Sequence, residues 1–569
     1  MTENQSDAPS VTNAGLLSSS AIMAAGTVAS RVTGVMRDIA MTAALGFYLV
    51  SDAFSLGNTL PNIIYILVIG GALNAIFIPQ LVRRMKDDAD GGRAYADRLL
   101  TITFLALLLL SVAAVLLAPW IVDLYSTAQY GSDQRELATA FARLCLPQIF
   151  FYGAYALLSQ VLNSRGKFGA PMFAPIVANI IAIATFVTFI VIAGTTAAAD
   201  GQLSSDQVLL LGLGTTIGVA LQALVLVPVL WKAGYVWRPR FDWRGHGLGK
   251  AGTLAIWTLG LVVVNQAGYV VITRLATLAN VSATDAGTVA AGLTTYQKAN
   301  LIFMLPQSVI TISIVTAMLP SLSRIAHSGQ MEQVGRDITS TMRLVASFIV
   351  PIGVILMVIG PGIAVLLFGY GAATPAQAAL MGSIVSVFMV GLLPFSLWYV
   401  VLRGFYALED TRTPFWISVA FNVATLVVAI PLFYSTTGGV QIAMLALGYV
   451  VGFWVAFVLS WFLLARKLRK RGAGWKSLSI GSTMRSLLRM VLAGTIALLI
   501  MAIVQFLLVN FLTGNSTHFA VLINVIVVVA VGSCTYLLLA RLLRITEVSE
   551  SLALITGRIR RLRRKPSAS

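Results

Sequence analysis

A chain of 569 residues, of which 58% are hydrophobic and only 11% are charged, differs sharply from soluble domains, whose charged fraction is about 25%. The mean hydropathy of +0.88 and the recurring long apolar runs indicate membrane helices, and the absence of short alternating segments argues against a β-barrel. The net charge is +18, and the basic residues lie between the apolar runs. This placement indicates that they set the orientation of the loops across the membrane and contact anionic lipid headgroups, rather than bind nucleic acid.

The apolar runs predict an all-α polytopic membrane protein with about fourteen transmembrane helices. In chain order the predicted spans are 18–46, 54–82, 99–124, 138–161, 171–194, 207–231, 251–273, 289–320, 343–368, 377–402, 415–434, 441–465, 487–511 and 518–541. The polar N-terminus lacks the basic region of a cleaved signal peptide, so the first helix is predicted to remain as an anchor. An even number of spans places both termini on the same side.

Lysine and arginine are concentrated in alternate loops, which predicts the orientation. The basic loops are 83–98, 165–167, 232–250, 324–343, 403–412 and 466–476, followed by a basic tail. The intervening loops carry almost no basic residues, with Arg135 as the clear exception and Arg274 at a helix end. The pattern predicts a multi-pass protein of the bacterial plasma (inner) membrane with both termini cytoplasmic.

Two pairs of similar segments indicate an internal repeat. Pro171 and Asn179 in the first half correspond to Pro414 and Asn422 in the second half, and both pairs have the same offset along the chain. The segments around Pro79 and Pro320 agree at nearly the same offset. The repeat predicts two six-helix lobes related by a pseudo-twofold axis along the membrane normal, plus two extra C-terminal helices, as expected for a transporter that alternates access by rocking its lobes.

The same reading divides the chain into five parts. The predicted parts are a polar cytoplasmic tail at 1–15, an N-lobe of helices 1–6 at 16–235, a C-lobe of helices 7–12 at 236–470, helices 13–14 at 471–545 and a basic cytoplasmic tail at 546–569.

Ionisable residues inside predicted helices are the main functional candidates, because a charge costs about 2.5–3.5 kcal/mol on insertion scales and usually faces a cavity. The candidates are Arg31, Arg37 and Asp38 in helix 1, Asp52 in helix 2, and Lys298 with Asn300 in helix 8. Alternatives remain: Arg37 and Asp38 could form a local ion pair, Asp52 could cap its helix, and Pro306 could break the helix near Lys298. The cationic excess favours an anionic substrate such as a phosphate or diphosphate.

The sequence predicts no metal site and no cofactor. The two cysteines and three histidines form no cluster with metal-ligand spacing. Asn265 and Asn422 could help to bind sodium, although hydrogen bonding between helices is the simpler interpretation. Either the membrane potential or a cation gradient is the expected energy source, since moving one charge through 100 mV is worth about 2.3 kcal/mol.

Several ordered motifs resemble the MurJ (MviN) lipid II flippase family of the multidrug/oligosaccharidyl-lipid/polysaccharide exporter superfamily. The motifs are SRVTGVMRDIA, SDAFSLGNTLPN, IFIPQL, LNSRGKFGAPMFAP, MLPSLSR and RGFYALEDTRTP, spread over roughly residues 15–545. The resemblance implies a fourteen-helix, two-lobe fold with a central cavity lined by helices 1, 2, 7 and 8. It also implies a groove formed by helices 13 and 14 for a polyprenyl tail, and lipid II, an undecaprenyl-diphosphate-linked disaccharide-pentapeptide, as the substrate.

The resemblance also assigns residues. Carried over by motif, Arg31, Arg37 and Asp52 match the cavity charges of the family, and Asn62 of the LPN motif is a further candidate for substrate binding in the cavity. The loop motifs supply Pro171, Arg403, Asp410, Arg412 and Pro414 as structural positions. The chain departs from the family where two arginines and Ala-Glu-Gly are usual, because it has Tyr65, Ile66, Ile69, Gly70 and Gly71 there, and where helix 8 usually carries an arginine, because it has Leu301 there.

Three rival functions remain open from the sequence. A flippase for another polyprenyl-linked glycan would use the same cavity, whereas a cation-coupled multidrug exporter would favour acidic cavity residues, of which only Asp38 and Asp52 qualify. An enzyme or a scaffold of the division machinery is disfavoured because no nucleophile–base set or phosphate loop is present. The expected partners are the lipid-linked substrate, anionic membrane lipids and the cell-wall synthesis machinery, and the protein is expected to act as a monomer without nucleic acid.

Overall fold

The computed structural model describes residues 13–67, 90, 92–242, 252–472, 474, 480–513 and 517–548. Within these ranges the chain forms helices and short connections, with no strand. The α-helices are α1 (Asn13–Leu45), α2 (Leu49–Tyr65), α3 (Arg93–Leu116), α4 (Ala118–Tyr125), α5 (Ser132–Cys145), α6 (Gln148–Ser164), α7 (Gly169–Ala193), α8 (Ser205–Leu224), α9 (Leu226–Lys232), α10 (Gly252–Asp285), α11 (Leu293–Pro306), α12 (Ile312–His327), α13 (Met331–Phe368), α14 (Pro375–Val390), α15 (Leu392–Ala407), α16 (Arg412–Tyr434), α17 (Val440–Lys470), α18 (Ile480–Leu507) and α19 (His518–Leu542).

The prediction of an all-α polytopic membrane protein is confirmed. In the described part of the chain, eleven helical stretches are long and apolar enough to cross a membrane, and a twelfth is added if the bent pair α14–α15 counts as one span. These twelve correspond one to one with predicted spans 3–14. The first two predicted spans correspond to α1, which carries three charges between Arg31 and Asp38, and to the short α2, so the count of fourteen remains a prediction.

Proline explains two breaks that the hydropathy pattern does not show. Proline lacks an amide hydrogen, so it cannot bond to the carbonyl group four residues earlier. Pro394 lies four residues after Val390, the last residue of α14, and Pro228 lies four residues after Leu224, the last residue of α8. At the first of these positions the helix bends by 47°. Helix α11 ends at Pro306, and a π-helical turn at Gln307–Thr311 connects it directly to α12. The predicted span 289–320 is therefore a continuous helical stretch with a π-helical turn inside it.

The chain divides into two compact units. Unit 1 comprises Met1–Gly46 and Val50–Leu259, and unit 2 comprises Phe47–Leu49 and Gly260–Ser569. The boundary falls inside α10, whereas the sequence places the division between the two lobes at 235/236. Unit 2 includes α18 and α19.

The internal repeat is visible in matching helix contacts within each unit. In unit 1 a Cβ atom added at Gly26 of α1 would lie 2.9 Å from Met172 Cβ of α7, and one added at Gly34 would lie 3.7 Å from Asn179. In unit 2 the same two contacts join Gly260 to Phe415 and Gly268 to Asn422, between α10 and α16. The two glycine pairs share one offset along the chain, and the two partner pairs share the offset of the sequence repeat. Both units therefore pack these helices in the same register.

A second duplicated contact uses a pair of glycines spaced four residues apart. Gly214 and Gly218 of α8 face α7, where an added Cβ at Gly218 would lie 3.1 Å from the carbonyl oxygen of Ala178. Gly448 and Gly452 of α17 face α16 in the same way. Small residues at this spacing let two membrane helices approach closely, which explains why both copies keep glycine.

The loop before α7 and the loop before α16 also match in backbone conformation. Gly166 has φ 73°, and Glu409, which is its equivalent at the offset of the repeat, has φ 56°. A left-handed conformation is unusual for a residue with a side chain, so its presence at both copies supports a common loop geometry. Other predicted features, including the Pro79 match, Ile69 to Gly71 and the basic tail from 549 onward, lie outside the described residues.

Candidate functional site

The best-defined polar cluster of unit 1 joins α1 to α7. Arg37 places one guanidinium nitrogen 3.3 Å from Asp38 Oδ2 and another 3.3 Å from Asn179 Oδ1. Asn179 is itself held by Nδ2, which donates to the Ser30 carbonyl at 3.1 Å and to Thr33 Oγ1 at 3.0 Å. The side chain of Arg37 keeps 43% of its surface exposed. The guanidinium group of Arg37 is therefore held in one orientation while part of it remains accessible to a ligand.

The structure separates the other helix 1 and helix 2 candidates by exposure. Arg31 and Asn62 are exposed, whereas Asp38 is 7% and Asp52 is 0% exposed. Burial, together with the charge of Asp52, raises the pKa of Tyr130 well above its ordinary value. Asp52 therefore lies within electrostatic reach of a buried tyrosine in the loop before α5, a proximity that the sequence did not indicate.

Three tyrosines of α2 and α6 lie close to one another in unit 1, and one of them is near Arg37. Tyr65, at the position where the family resemblance would place an arginine, lies with its ring centroid 6.3 Å from that of Tyr152. Tyr152 lies within electrostatic reach of Arg37. Tyr155 donates its hydroxyl to the Pro171 carbonyl at 2.8 Å. A phenol group thus stands at position 65, where the resemblance implies a cation, and this departure of the sequence is the signal that points to the group of tyrosines.

In unit 2 the candidates of α11 are less accessible. Lys298 is 5% exposed, and Asn300 is half-buried. The neighbouring Gln297 donates its side-chain amide to Tyr269 Oη of α10 at 3.1 Å. The two helices are therefore joined by a polar contact one residue from Lys298, whose role as a substrate ligand remains a prediction.

The two asparagines considered for ion binding contact each other. Asn422 Nδ2 of α16 donates to Asn265 Oδ1 of α10 at 2.9 Å and to the Ser418 carbonyl at 2.8 Å. This is the interhelical hydrogen bond that the sequence left open as the simpler alternative. Asn265 occupies the position of α10 that corresponds to Arg31 of α1, at the offset that relates Gly26 to Gly260, so an amide replaces a cation in the second copy.

The loop motif before α16 is a compact charged turn. Asp410 accepts the Thr413 amide hydrogen at 3.0 Å, and its second oxygen contacts the Thr413 hydroxyl and Lys467 of α17. Burial alone would raise the pKa of Asp410, but the Lys467 ammonium and the Thr413 hydrogen bonds outweigh it and lower the pKa below its ordinary value. These contacts fit the structural role that the resemblance implies.

The remaining motif residues differ in their surroundings. Arg403 stacks on the ring of Tyr399 at 4.2 Å and lies 5.5 Å from the ring centroid of Tyr406. Arg412 is exposed. Pro414 and Pro171 begin equivalent helices and are buried.

Helix α18 borders two apolar cavities of unit 2. One, of about 200 Å³, lies among α13, α14, α18 and α19, with Gln505 and Asn524 as its polar lining residues. The other, of about 270 Å³, lies among α13, α14, α15, α17 and α18. Leu499, Ile503 and Phe506 of α18 are exposed. Apolar concave surface therefore exists beside the two helices outside the repeat.

The arrangement of helices is similar to that of solved membrane-protein structures. The solved structure described as "Lipid II flippase MurJ, inward closed conformation" matches with a TM-score of 0.69 at 18% identity, covering 92% of this chain and 98% of that one. A multidrug resistance MATE family transporter of the MOP superfamily in an inward-facing conformation matches with a TM-score of 0.56 at 14% identity, covering 78% and 95% of the two chains. The fold of this chain is therefore similar to the helical folds of these two solved structures.

The sequence comparison narrows the class to one family. The family model described as "Lipid II flippase MurJ" matches residues 41–526. A protein of Rhizobium meliloti (strain 1021), named "Probable lipid II flippase MurJ", is 28% identical over 442 residues, which are 76% of this chain and 79% of the relative. The chain belongs to the MurJ family.

Proposed function

We propose that this protein is a lipid II flippase, which moves undecaprenyl-diphosphate-linked disaccharide-pentapeptide from the cytoplasmic to the outer leaflet by alternating access. Membership of the MurJ family supports the substrate class. The observation within the structure that carries the proposal is the Arg37 cluster, because an oriented and partly exposed guanidinium inside a membrane protein suits a diphosphate. The protein is proposed to act as a transporter without a covalent step.

The geometry explains how Arg37 could serve transport. Asp38 and Asn179 take up part of its donor capacity and fix its orientation, which lowers the conformational entropy lost when an anion binds. Arg31, six residues earlier on the same helix and exposed, supplies a second cation about 9 Å along the axis. Two arginines on one helix can therefore contact a diphosphate or its neighbouring groups.

We propose that the membrane potential drives the outward step and that both termini are cytoplasmic. A diphosphate carries negative charge toward the positive outer face, gaining about 2.3 kcal/mol per charge at 100 mV. The distribution of lysine and arginine over alternate loops supports the orientation.

The test is transport of labelled lipid II by the purified protein in proteoliposomes, with the potential set by a potassium gradient and valinomycin. We expect Arg31→Ala and Arg37→Ala to slow flipping at least tenfold each, because a hydrogen bond to a charged group is worth about 1.5–3 kcal/mol. Arg37→Lys should restore only part of the rate, since an ammonium lacks the bidentate fork.

Arg336→Ala is the matched control. Arg336 forms a surface ion pair with Glu332, four residues away on α13, and both side chains are more than half exposed, so its loss should leave transport unchanged. Each variant is compared at equal amounts of folded protein, judged by its melting temperature. Wild-type flipping by both Arg31→Ala and Arg37→Ala would reject the proposed anion site, and transport of organic cations in place of lipid II would reject the substrate class.

A further inference from the structure

The segment 233–242, between α9 and α10, runs along α3 of unit 1 and is hydrogen-bonded to it. Asp97 of α3 accepts hydrogen bonds from the Tyr235 hydroxyl at 2.7 Å and from the Arg238 amide at 3.2 Å. One turn later, Thr101 accepts the Arg240 amide at 3.0 Å and the Trp237 indole N–H at 3.3 Å. Two side chains on one face of α3 thus hold alternate backbone amides of an extended chain.

Arginine side chains of unit 1 make further contacts with this segment. Arg93 of α3 donates to the Gly234 carbonyl, and Arg165 lies 5.0 Å from the ring centroid of Tyr235. Arg98 pairs with Asp242, and this hydrogen bond lowers the pKa of the Asp242 carboxyl to about 2. Segment 233–242 is therefore a fixed part of unit 1.

Underneath this segment lies the largest of the cavities described here. It measures about 660 Å³, within the range of about 300–1,000 Å³ that is usual for a specific ligand site. Its walls come from α3, α6, α8 and α9, and the rings of Phe104, Phe150 and Trp237 form one side, with Phe104 edge-on to Trp237 at 5.1 Å. Leu108, Leu224 and Trp231 of the wall remain exposed, so the cavity is open toward the surrounding lipid.

The roof of the cavity separates apolar from charged side chains. Successive side chains of an extended chain point to opposite sides. Tyr235, Trp237, Pro239 and Phe241, at alternate positions, line the cavity, and Val236 also contributes to its wall. Arg238 and Arg240 are exposed and are not part of the wall. Arginine side chains on the far side of such a segment can reach the headgroup region while their apolar neighbours face hydrocarbon.

We propose that this cavity is a binding site for a retained anionic phospholipid, with one acyl chain in the cavity and the phosphate group beside segment 233–242. Charge complementarity selects this occupant, because three exposed cations, Lys232, Arg238 and Arg240, lie on or next to the roof. The carboxyl group of Asp97 accepts the Tyr235 hydroxyl, and that of Asp242 pairs with Arg98 and also lies within electrostatic reach of Arg240. Basic pockets between membrane helices next to the headgroup layer are typical sites for anionic lipids.

The alternative occupant is the polyprenyl tail of the transported substrate. A transported lipid has to leave its site in every cycle, whereas segment 233–242 is held on α3 by hydrogen bonds from backbone and side chains. A fixed roof over a deep apolar cavity favours a lipid that stays bound. The site is also separate from Arg37, so it can be tested independently of the proposed function.

The experiment measures lipid retention by native mass spectrometry on the full-length protein, titrated with dioleoyl-phosphatidylglycerol or dioleoyl-phosphatidylcholine. We expect the wild type to retain one phosphatidylglycerol molecule in preference to phosphatidylcholine. Arg238→Gln and Arg240→Gln should each reduce this preference about fivefold, which corresponds to about 1 kcal/mol per cation near a lipid surface. Ala154→Trp should abolish retention by filling the cavity, because Ala154 is a buried wall residue.

A matched control removes two exposed cations elsewhere. Arg466→Gln with Lys470→Gln, at the end of α17 in unit 2, should leave the lipid preference unchanged. If Ala154→Trp fails to fold, Leu105→Trp at the exposed edge of the cavity replaces it. Equal retention of the two phospholipids by the wild type, or an unchanged preference in the double Arg238→Gln, Arg240→Gln variant, would overturn the proposal. Displacement of phosphatidylglycerol by undecaprenyl phosphate at equal concentration would overturn it in favour of the substrate tail.

Discussion

Replacing Gly268 by alanine should destabilise the protein, whereas the same change at the equivalent Gly34 should not. A Cβ atom at Gly268 would lie 2.0 Å from Asn422 Oδ1 and 3.0 Å from its Cγ, so the side chain of Asn422 has to turn away. At Gly34 the new Cβ would lie 3.7 Å from Asn179 Nδ2, which is ordinary van der Waals contact. The two positions are matched by the repeat, so each serves as the control of the other.

The expected difference follows from three contributions. Turning Asn422 breaks its 2.9 Å hydrogen bond to Asn265, worth about 0.6 kcal/mol on average between membrane helices, and overpacking adds about 1–3 kcal/mol. Alanine in a helix recovers about 0.5–1 kcal/mol relative to glycine. Gly268→Ala should therefore lower the free energy of unfolding by about 1–3 kcal/mol, whereas Gly34→Ala should raise it by up to about 1 kcal/mol.

The assay is unfolding of the purified protein by titration with sodium dodecyl sulfate in mixed micelles, followed by circular dichroism. A third variant, Gly268→Ala with Asn422→Ala, tests whether the cost acts through the asparagine. Removing the Asn422 side chain should take away most of the added penalty of Gly268→Ala. Equal effects of the two glycine substitutions, or a full penalty in the absence of Asn422, would refute this reasoning.

Two further predictions concern the loops. Asp410→Asn should lower the free energy of unfolding by about 1 kcal/mol at pH 7, because it weakens the contacts with Lys467 and Thr413. The pKa of Asp410 is lowered in the folded state, so the difference in stability between wild type and variant should be present above about pH 4 and fade as the pH falls through the folded pKa. Unfolding curves in which this difference persists at low pH would contradict the ion-pair explanation. The orientation is tested in a background that lacks Cys534, the exposed native cysteine. Asp200→Cys should react with an impermeant thiol reagent added outside intact cells, whereas Arg471→Cys should not. The reverse labelling would contradict the proposed orientation.

The membrane helices could be read from the sequence because hydropathy is a local property. Each predicted span from 99–124 onward corresponds to one helix or to consecutive helices of the structure, since in hydrocarbon a segment of about 20 apolar residues satisfies its backbone hydrogen bonds as a helix. The repeat was also readable, because duplicated helices need the same small or polar residues at the same packing positions. Asn179 and Asn422 were recognised by their spacing alone, and both prove to contact a glycine of an earlier helix.

What the sequence could not decide depended on contacts between distant residues. The partner of Arg37 in α7, the burial of Asp52 beside Tyr130 and the cavity under segment 233–242 each join residues that lie far apart along the chain. A charge in an apolar helix signals its cost but not which neighbour relieves it, because that neighbour is set by the rotation and register of packed helices. Segment 233–242 looked like an ordinary basic loop, and only the position of Asp97 and Thr101 on α3 made it the roof of a cavity.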